Sequence, residues 1–146
     1  MREAGIELMK NTKSVRDIDV NSKRVLIRVD FNVPMDEDFD ICDDTRIREA
    51  LPTINYCIDN HAKNIVLVSH LGRPKGRSAE FSLKHVIKRV ERLLGRDVGF
   101  AESIEEAVLL QEQSPSGSVI LLENIRFCVG EEKNDKDLSQ KLAGLC

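Results

Sequence analysis

The sequence contains no tryptophan, a single tyrosine and no excess of positive charge. Its 22 lysines and arginines are outnumbered by 25 aspartates and glutamates, which gives a formal net charge of −3. A protein without a basic field has no general electrostatic attraction for nucleic acid or for an acidic membrane surface. We therefore expect neither nucleic acid nor a membrane as a partner, and a site for an anion must be a local arrangement of arginines.

Long apolar segments and metal-binding motifs are also missing. No apolar run approaches the roughly 20 residues that a membrane-spanning helix requires. The four cysteines, Cys42, Cys57, Cys128 and Cys146, form no CxxC pair, and no histidine and cysteine cluster has the spacing of a zinc site. Because no signal-peptide core precedes them, we interpret them as reduced thiols of a cytoplasmic protein and expect no metal site.

Glycine-rich phosphate loops are the third absence. The sequence contains neither G-x-x-x-x-G-K-[ST] nor G-x-G-x-x-G, the patterns that cradle the phosphates of ATP or of a dinucleotide. We therefore expect no nucleotide-binding residues in this chain. No Ser/His/Asp or Cys/His arrangement for nucleophilic catalysis can be argued either, and Cys128 is predicted to pack rather than to react.

The sequence does contain a regular alternation of strand and helix patterns. Apolar runs at residues 25–29, 65–69, 98–100 and 119–122 predict four strands. They are mostly continuous, which is typical of a parallel sheet covered on both faces. Helical patterns between them complete βαβ units. The sequence thus predicts an α/β fold, a doubly wound parallel sheet with helices on both faces in a Rossmann-like three-layer sandwich.

Two of the helical patterns carry recognisable end signals. In "SLKHVIKRVERLLG", Ser82 is the predicted N-cap and Gly95 is the glycine that ends the helix. In "SIEEAVLL", Ser103 and Glu106 have the spacing of a capping box, in which each side chain bonds the backbone N–H of the other residue. Both segments are therefore predicted helices with defined starts.

Two other helical segments have features that affect their ends. Apolar residues recur at helical spacing over 47–58, but Pro52 interrupts them, so we expect a kink or a late helix start. "NDKDLSQKLAG" predicts a last short helix, capped by Asn134 or Asp135 and ended at Gly144. The chain then stops where a βαβ sheet would continue, so we expect an incomplete domain whose last strand is an edge or has lost a neighbour.

Three of the predicted strands are followed directly by polar residues, in "RVDFN", "SHLGRP" and "ENIRF". In an open parallel sheet, ligands bind outside the carboxyl ends of the strands. The rigid fork of arginine binds carboxylate and phosphate through two hydrogen bonds and stays charged when partly desolvated. This edge is therefore predicted to bind a small, multiply charged anion. Its polar residues are Arg28, Asp30, Asn32, His70, Arg73, Glu123, Asn124 and Arg126, with Arg46 at the start of the following helical segment.

Each of these residues also has an ordinary interpretation. A single arginine at a strand end is usually solvated or paired with a nearby carboxylate, and "HLGRPKG" alone is compatible with a turn. The recurrence at three strand ends is what favours an anion site. The hypothesis that the arginines only pair with neighbouring aspartates and glutamates stays open.

Taken in order, the motifs resemble phosphoglycerate kinase. The family's order and spacing are matched by "RVLIRVDFNVP", "DDTRIREALPTI", "VSHLGRPKG", "SLKHVIKRVERLLG" and "LLENIRFCVGEEKND", over about residues 13–143. The resemblance implies an enzyme of glycolysis and gluconeogenesis that moves a phosphoryl group reversibly between ATP and the carboxylate of 3-phosphoglycerate. It also implies two doubly wound domains joined by a hinge, of which the N-terminal one binds 3-phosphoglycerate.

The same resemblance implies which residues bind 3-phosphoglycerate or 1,3-bisphosphoglycerate. Arg46 matches the arginine that steadies the transferring phosphoryl group, a role that suits a reaction dependent on positioning and charge stabilisation. Arg28 would order this basic edge without touching the substrate. The implied binding residues are Asp30, Phe31, Asn32, Arg46, His70, Leu71, Gly72, Arg73 and Arg126.

The resemblance also implies a division of the chain. Residues 1–12 would be a leader and residues 13–146 part of the 3-phosphoglycerate-binding domain. Mg-ATP or Mg-ADP would be bound by a nucleotide domain missing from this chain, which we expect to be inactive alone. The full-length enzyme would be a monomer, whereas the fragment could self-associate. The alternative is a stand-alone binding module for a small phosphorylated acid.

Overall fold

The computed structural model describes residues 12–128 and 135–146. In these ranges four strands form one parallel sheet in the order β1-β2-β4-β3. The predicted strands are confirmed to within a residue or two at each end, and so is the parallel sheet. The strands are β1 (Arg24–Arg28), β2 (Asn64–Val68), β3 (Val98–Ala101) and β4 (Ser118–Leu122).

Four α-helices in the described ranges cover the two faces of this sheet, as predicted. They are α1 (Thr45–Asp59), α2 (Lys84–Leu94), α3 (Ile104–Gln113) and α4 (Lys136–Ala143). Short 3-10 helices occur at Val15–Asp17, Ala79–Phe81 and Ile125–Phe127. Within the described residues, no helix is long and apolar enough to cross a membrane.

The core consists of two layers because alternate strand residues point to opposite faces. Ile65 and Leu67 of β2 pack with α1 and α2, whereas Val66 and Val68 pack with α3 and α4. All five residues of β2 are buried. The three-layer α/β architecture predicted from the continuous apolar runs is thus confirmed.

The edges of the sheet are not where the sequence places them. Strand β4, the last in the chain, lies inside the sheet between β2 and β3. Among the described strands, β1 and β3 are the outer ones, since each pairs with one neighbour. Strand β1 is correspondingly less buried, with Arg24 and Arg28 exposed at its ends. The expectation that the last strand is an edge is therefore wrong, because the chain crosses from β3 back to the interior position.

Helix α1 begins at Thr45 despite the proline in its middle, so the expected late start is wrong. Asp43 fixes the start, because its carboxylate accepts hydrogen bonds from the Thr45 backbone N–H at 2.9 Å and from the Thr45 hydroxyl at 2.6 Å. Pro52 lacks a backbone N–H, which leaves the carbonyl of Arg48 without its usual helical donor. The helix tolerates this loss within its 15 residues.

The caps of the other helices follow the sequence in part. Asp135 caps α4 by accepting from Leu138 N–H at 3.2 Å, and that helix is followed by Gly144, as predicted; Asn134 lies outside the described residues. Ser103 accepts from Glu106 N–H at 3.1 Å. The capping box at α3 is nevertheless wrong in its second half, because Glu106 accepts from the N–H of Glu102.

Helix α2 ends as predicted at Gly95, which has a left-handed φ of 68°. The helix is assigned from Lys84, with Leu83 in the preceding position, yet the predicted cap is present, because the Ser82 hydroxyl accepts from Lys84 N–H at 3.2 Å. The hydroxyl of Ser82 also donates to the buried carboxylate of Glu123 at 2.6 Å. The same carboxylate accepts from Leu83 N–H at 2.8 Å, so it joins the end of β4 to the start of α2.

Candidate anion-binding site

The site lies where β1, β2 and β4 end, and Ser69 joins the three segments that follow them. The fully buried hydroxyl of Ser69 accepts from Phe31 N–H at 2.9 Å and donates to the carbonyl of His70 at 3.0 Å. The Ser69 carbonyl accepts from Ile125 N–H at 3.0 Å. Because Ser69 bonds to all three segments, it holds in place the main chain from which their polar side chains project.

Asn32 connects the segment after β1 to the segment after β2 and to α1. Its side-chain Oδ1 accepts from Gly72 N–H at 2.9 Å, and its carbonyl accepts from Nη1 of Arg46 at 2.8 Å. The same Nη1 lies 3.4 Å from Asp30, and the two side chains are about half exposed. The Arg46 guanidinium is therefore held at one nitrogen while much of it still faces solvent.

Gly72 lets the segment after β2 pass close to its neighbours. Its φ is +62°, a left-handed conformation that favours glycine. A Cβ at this position would lie far inside van der Waals contact with the ring of Phe81. The Gly72 carbonyl accepts from Nη1 of Arg126 at 3.1 Å, which brings the arginine after β4 to the same place.

The structure thus brings five of the implied site residues into one hydrogen-bonded network. They are Asp30, Asn32, Arg46, Gly72 and Arg126. His70 and Arg73 flank Gly72 in sequence; the first is partly buried and the second is exposed. Arg73 forms no ion pair with any residue of 12–128 or 135–146, so its charge is not neutralised by a described carboxylate.

Two implied residues, Phe31 and Leu71, have side chains in the core. They are 0% and 3% exposed, respectively, and pack in the layer that faces α1 and α2. The backbone N–H of Phe31 is already bonded to Ser69. A contact from either residue to a ligand would therefore come from the main chain, and their side chains hold the two segments down on the core.

Glu123 and Asn124 are buried and hydrogen-bonded within the protein, whereas the sequence predicts them among the polar residues of the ligand-binding edge. Glu123 is 6% exposed and its carboxylate accepts three hydrogen bonds, from Ser82, Leu83 and Asn124. Asn124 is 1% exposed. Both polar side chains bond to neighbouring segments, because the strand end that carries them is covered by the 3-10 helix at Ala79–Phe81 and the start of α2.

A shallow cleft of about 300 Å³ adjoins the network along the outer edge of β1. Arg28, Asp30 and Arg46 line it from one side, and Glu49, Ala50 and Thr53 of α1 contribute to its wall. A second cleft of about 210 Å³ is lined by Asn32, Leu71 and Gly72, among others. The network therefore borders two open clefts, as a site for a small ligand requires.

Asp44 fixes the start of α1, two residues before Arg46, and was not recognised in the sequence. Its carboxylate oxygens accept from Nε of Arg48 at 2.8 Å and from Nη1 of Arg89 in α2, also at 2.8 Å. These hydrogen bonds lower the pKa of Asp44 below its ordinary value. Arg89 is 45 residues away, and no spacing signal in one sequence predicts such a pair.

The described residues offer no group of three or more histidines, cysteines, aspartates or glutamates that could hold a metal ion. The chemistry available at the site is that of guanidinium groups, a histidine and backbone amides. Such groups bind carboxylate and phosphate oxygens.

Comparison with known proteins gives one family throughout. A family model described as phosphoglycerate kinase matches residues 15–146. The phosphoglycerate kinase of Helicobacter hepaticus is 84% identical over 146 residues, which cover the whole chain and 36% of the relative. That of Wolinella succinogenes is 68% identical over 98% of the chain and 36% of the relative. The chain thus spans about a third of the length of the curated relatives it matches.

Solved structures show the same similarity in three dimensions. The phosphoglycerate kinase of Coxiella burnetii superimposes with a TM-score of 0.78 at 35% identity, covering 90% of this chain and 32% of that one. The enzyme of Pyrococcus horikoshii gives a TM-score of 0.79 at 31% identity, covering 92% and 35%. The α/β arrangement around the site is therefore shared with experimentally determined structures.

Proposed function

The chain belongs to the phosphoglycerate kinase family, and on that premise we propose that it forms the 3-phosphoglycerate-binding part of such a kinase. The full-length protein would transfer a phosphoryl group reversibly between ATP and the carboxylate of 3-phosphoglycerate. The observation that carries this proposal is the network that joins Asp30, Asn32, Arg46, Gly72 and Arg126 at one sheet edge.

In this proposal Arg46 is the catalytic residue. Phosphoryl transfer depends mainly on positioning and on stabilising the charge of the transferring group. A guanidinium that is fixed at one nitrogen and half exposed can place its remaining N–H groups against that charge. The acceptor carboxylate is already ionised near neutral pH, so the reaction needs no general base from the protein.

The other residues of the site would bind the triose. Arg73 and Arg126 would pair with its phosphate or carboxylate, and His70 would donate a hydrogen bond. Asp30 and Asn32 have the acceptors and donors that suit a hydroxyl. The triose would also contact the main chain of Phe31, Leu71 and Gly72. Arg28 would order the basic edge of the sheet on which the site lies.

The remaining parts of the proposal concern the whole protein. We assign residues 13–146 to the 3-phosphoglycerate-binding domain and residues 1–12 to a leader, of which 1–11 lie outside the described residues. Mg-ATP or Mg-ADP would be bound by the part of the full-length protein outside this chain. We propose that the enzyme is a cytoplasmic monomer; the location is supported by a similar kinase of Nicotiana tabacum, 49% identical, which is named cytosolic.

The test uses the full-length protein in a coupled assay with ATP and 3-phosphoglycerate. We expect Arg46→Ala and Arg73→Ala each to lower kcat/KM by roughly 10- to 150-fold, the equivalent of a charge-assisted contact of about 1.5–3 kcal/mol. Arg92→Ala is the matched control, because Arg92 is an exposed arginine in the last turn of α2, away from the site.

Two results would contradict the proposal. Absence of turnover by the unmodified full-length protein would favour a stand-alone binding module, which the names of the relatives disfavour. Activity unchanged in both arginine variants would instead mean that these side chains serve only as surface charges.

A further inference from the structure

We propose that Asn124 is a positioning residue for the triose site, a role that rests on the proposed function. Asn124 follows β4 and is 1% exposed. It lines neither of the two clefts that border the network, yet its side chain bonds to two of the segments that carry the site residues. The inference is that its amide sets the position of the segment at residues 70–73 relative to Arg126.

The hydrogen bonds of Asn124 use its whole side chain. Nδ2 donates to the carbonyl of Leu71 at 2.8 Å and to the carbonyl of Phe81 at 2.8 Å. Oδ1 accepts from Arg126 N–H at 3.1 Å. A primary amide offers two donors and an acceptor, so this geometry fixes its orientation and needs both kinds of atom.

These bonds and the Arg126 guanidinium hold the same short stretch of backbone. Asn124 binds the carbonyl of Leu71, and Arg126 binds the next carbonyl, that of Gly72. The N–H of Gly72 is bonded to Asn32. The peptide between His70 and Arg73 is therefore held by three side chains, of which Asn124 is buried and the other two are partly exposed.

Asn124 also sets the packing on which the conformation of Gly72 depends. The Phe81 ring lies so close to Gly72 that a Cβ there would clash, and the carbonyl of Phe81 is bonded to Asn124. All three side-chain partners of Asn124 lie in loops or 3-10 helices. Loss of the amide is therefore expected to move the site segments before it disturbs the sheet.

The experiment uses Asn124→Asp in the full-length protein. Aspartate keeps the acceptor for Arg126 but presents a carboxylate oxygen to two carbonyl oxygens that previously received N–H groups. We expect KM for 3-phosphoglycerate to rise roughly 10- to 100-fold, which corresponds to the loss of buried hydrogen bonds, while KM for ATP changes less than about twofold. Asn124→Ser, which can donate to one carbonyl, should show a smaller rise and serves if the aspartate variant does not fold.

Asn64→Asp is the matched control. Asn64 is 2% exposed, and its side chain accepts from Gln111 at 3.0 Å at the opposite end of β2. It should lower the melting temperature by burying a charge, with KM for both substrates unchanged. This separates a general loss of stability from a loss of positioning.

The possible results distinguish a failure of the proposed kinase function from a failure of the positioning role of Asn124. An inactive unmodified protein would refute the proposed function itself. An active unmodified protein with unchanged KM for 3-phosphoglycerate in Asn124→Asp and Asn124→Ser would overturn the positioning role. So would equal rises in both KM values, since these would indicate a general distortion.

Discussion

At the scale of single residues, Arg46 shows how the candidate site combines fixed geometry with access to solvent. One guanidinium nitrogen is bonded to the carbonyl of Asn32 and lies near Asp30, while about half of the side chain is exposed. An exposed ion pair at 3.4 Å contributes little to stability. Its more important consequence is orientation, because an incoming anion meets a guanidinium whose plane is already constrained.

Gly72→Ala is expected to destabilise the protein more than an ordinary glycine substitution does. The left-handed φ costs a residue with a Cβ about 1–2 kcal/mol, and the clash with the Phe81 ring adds an overpacking cost of about 1–3 kcal/mol. The free energy of unfolding, measured by urea denaturation of the full-length protein, checks the sum. KM for 3-phosphoglycerate should rise as well, because Asn32 and Arg126 bond to this residue.

Gly95→Ala provides the control, since Gly95 has a similar φ of +68° with nothing within 4 Å of a Cβ. It should show the cost of the left-handed conformation alone. Equal losses of stability in the two variants would contradict the close packing of Phe81 on Gly72.

The residues of the site differ in how far the sequence could predict them. That Arg46, Arg126 and Asn32 meet follows from the rule that parallel strands end at one edge. Whether a polar residue at that edge faces outward does not follow, and Glu123 and Asn124 prove to be buried. Their direction is set by partners about 40 and 50 residues away in sequence, which no local pattern records.

At the scale of elements, the start of α1 is held by the hydrogen bonds from Thr45 to Asp43 and by the ionic contacts of Asp44. Asp44 occupies the capping position without a side-chain bond to the helix backbone. Its carboxylate instead bonds to Arg48 one turn later and to Arg89 of α2. Because Arg46 lies between Asp44 and Arg48, the contact that joins the two helices also helps to fix the main chain of Arg46.

Asp44→Asn is expected to lower the melting temperature at pH 7, with a pH dependence of definite sign. The folded-state pKa of Asp44 is lowered, chiefly by the bond to Arg48 and then by that to Arg89. A lowered pKa means that the carboxylate stabilises the fold above its unfolded pKa of about 4. That stabilisation is lost as the pH falls from there through the folded-state pKa. Melting curves followed by circular dichroism from pH 7 to pH 3 check this.

Asp97→Asn removes an exposed carboxylate that has no ion pair within the described ranges, and it should leave the melting temperature unchanged. A constant difference between Asp44→Asn and the unmodified protein at every pH would argue against the ionic contact.

The strands and helices can largely be predicted from the sequence, whereas the residues at which they begin and end are harder to predict. Continuous apolar runs predict β2 and β4 because both are buried on two faces, which is a property of local composition. At the start of α2 the sequence predicts the cap by Ser82, but it does not predict that the same hydroxyl bonds to Glu123, 41 residues later. The late start that Pro52 suggests for α1 is wrong, because the helix includes Pro52 and begins at Thr45, which is bonded to Asp43.

At the scale of the whole molecule, the described sheet has two outer strands of different character. Strand β3 is four residues long, and β1 is five residues long with a charged residue at each end. Short strands and charged ends are common devices against edge-to-edge association. The middle of β1 lacks such protection, since Val25, Leu26 and Ile27 are apolar and only half buried.

A polypeptide limited to these 146 residues is therefore expected to be less stable than the full-length protein and to self-associate through β1. Sedimentation velocity at increasing concentration should show a rising sedimentation coefficient for the short polypeptide. The full-length protein, measured alongside, should sediment as a monomer at every concentration. Reversible and cooperative melting of a monomeric short polypeptide at high temperature would show that β1 tolerates exposure.

The burial of β2 has a consequence for ligand affinity. Every residue of this strand is enclosed, it has a neighbour on each side, and Ser69 follows it directly. The segment that carries His70, Gly72 and Arg73 thus follows a strand that is buried along its whole length. A small anion arriving there meets groups that have little conformational entropy left to lose, so less of its intrinsic binding free energy goes into ordering the protein.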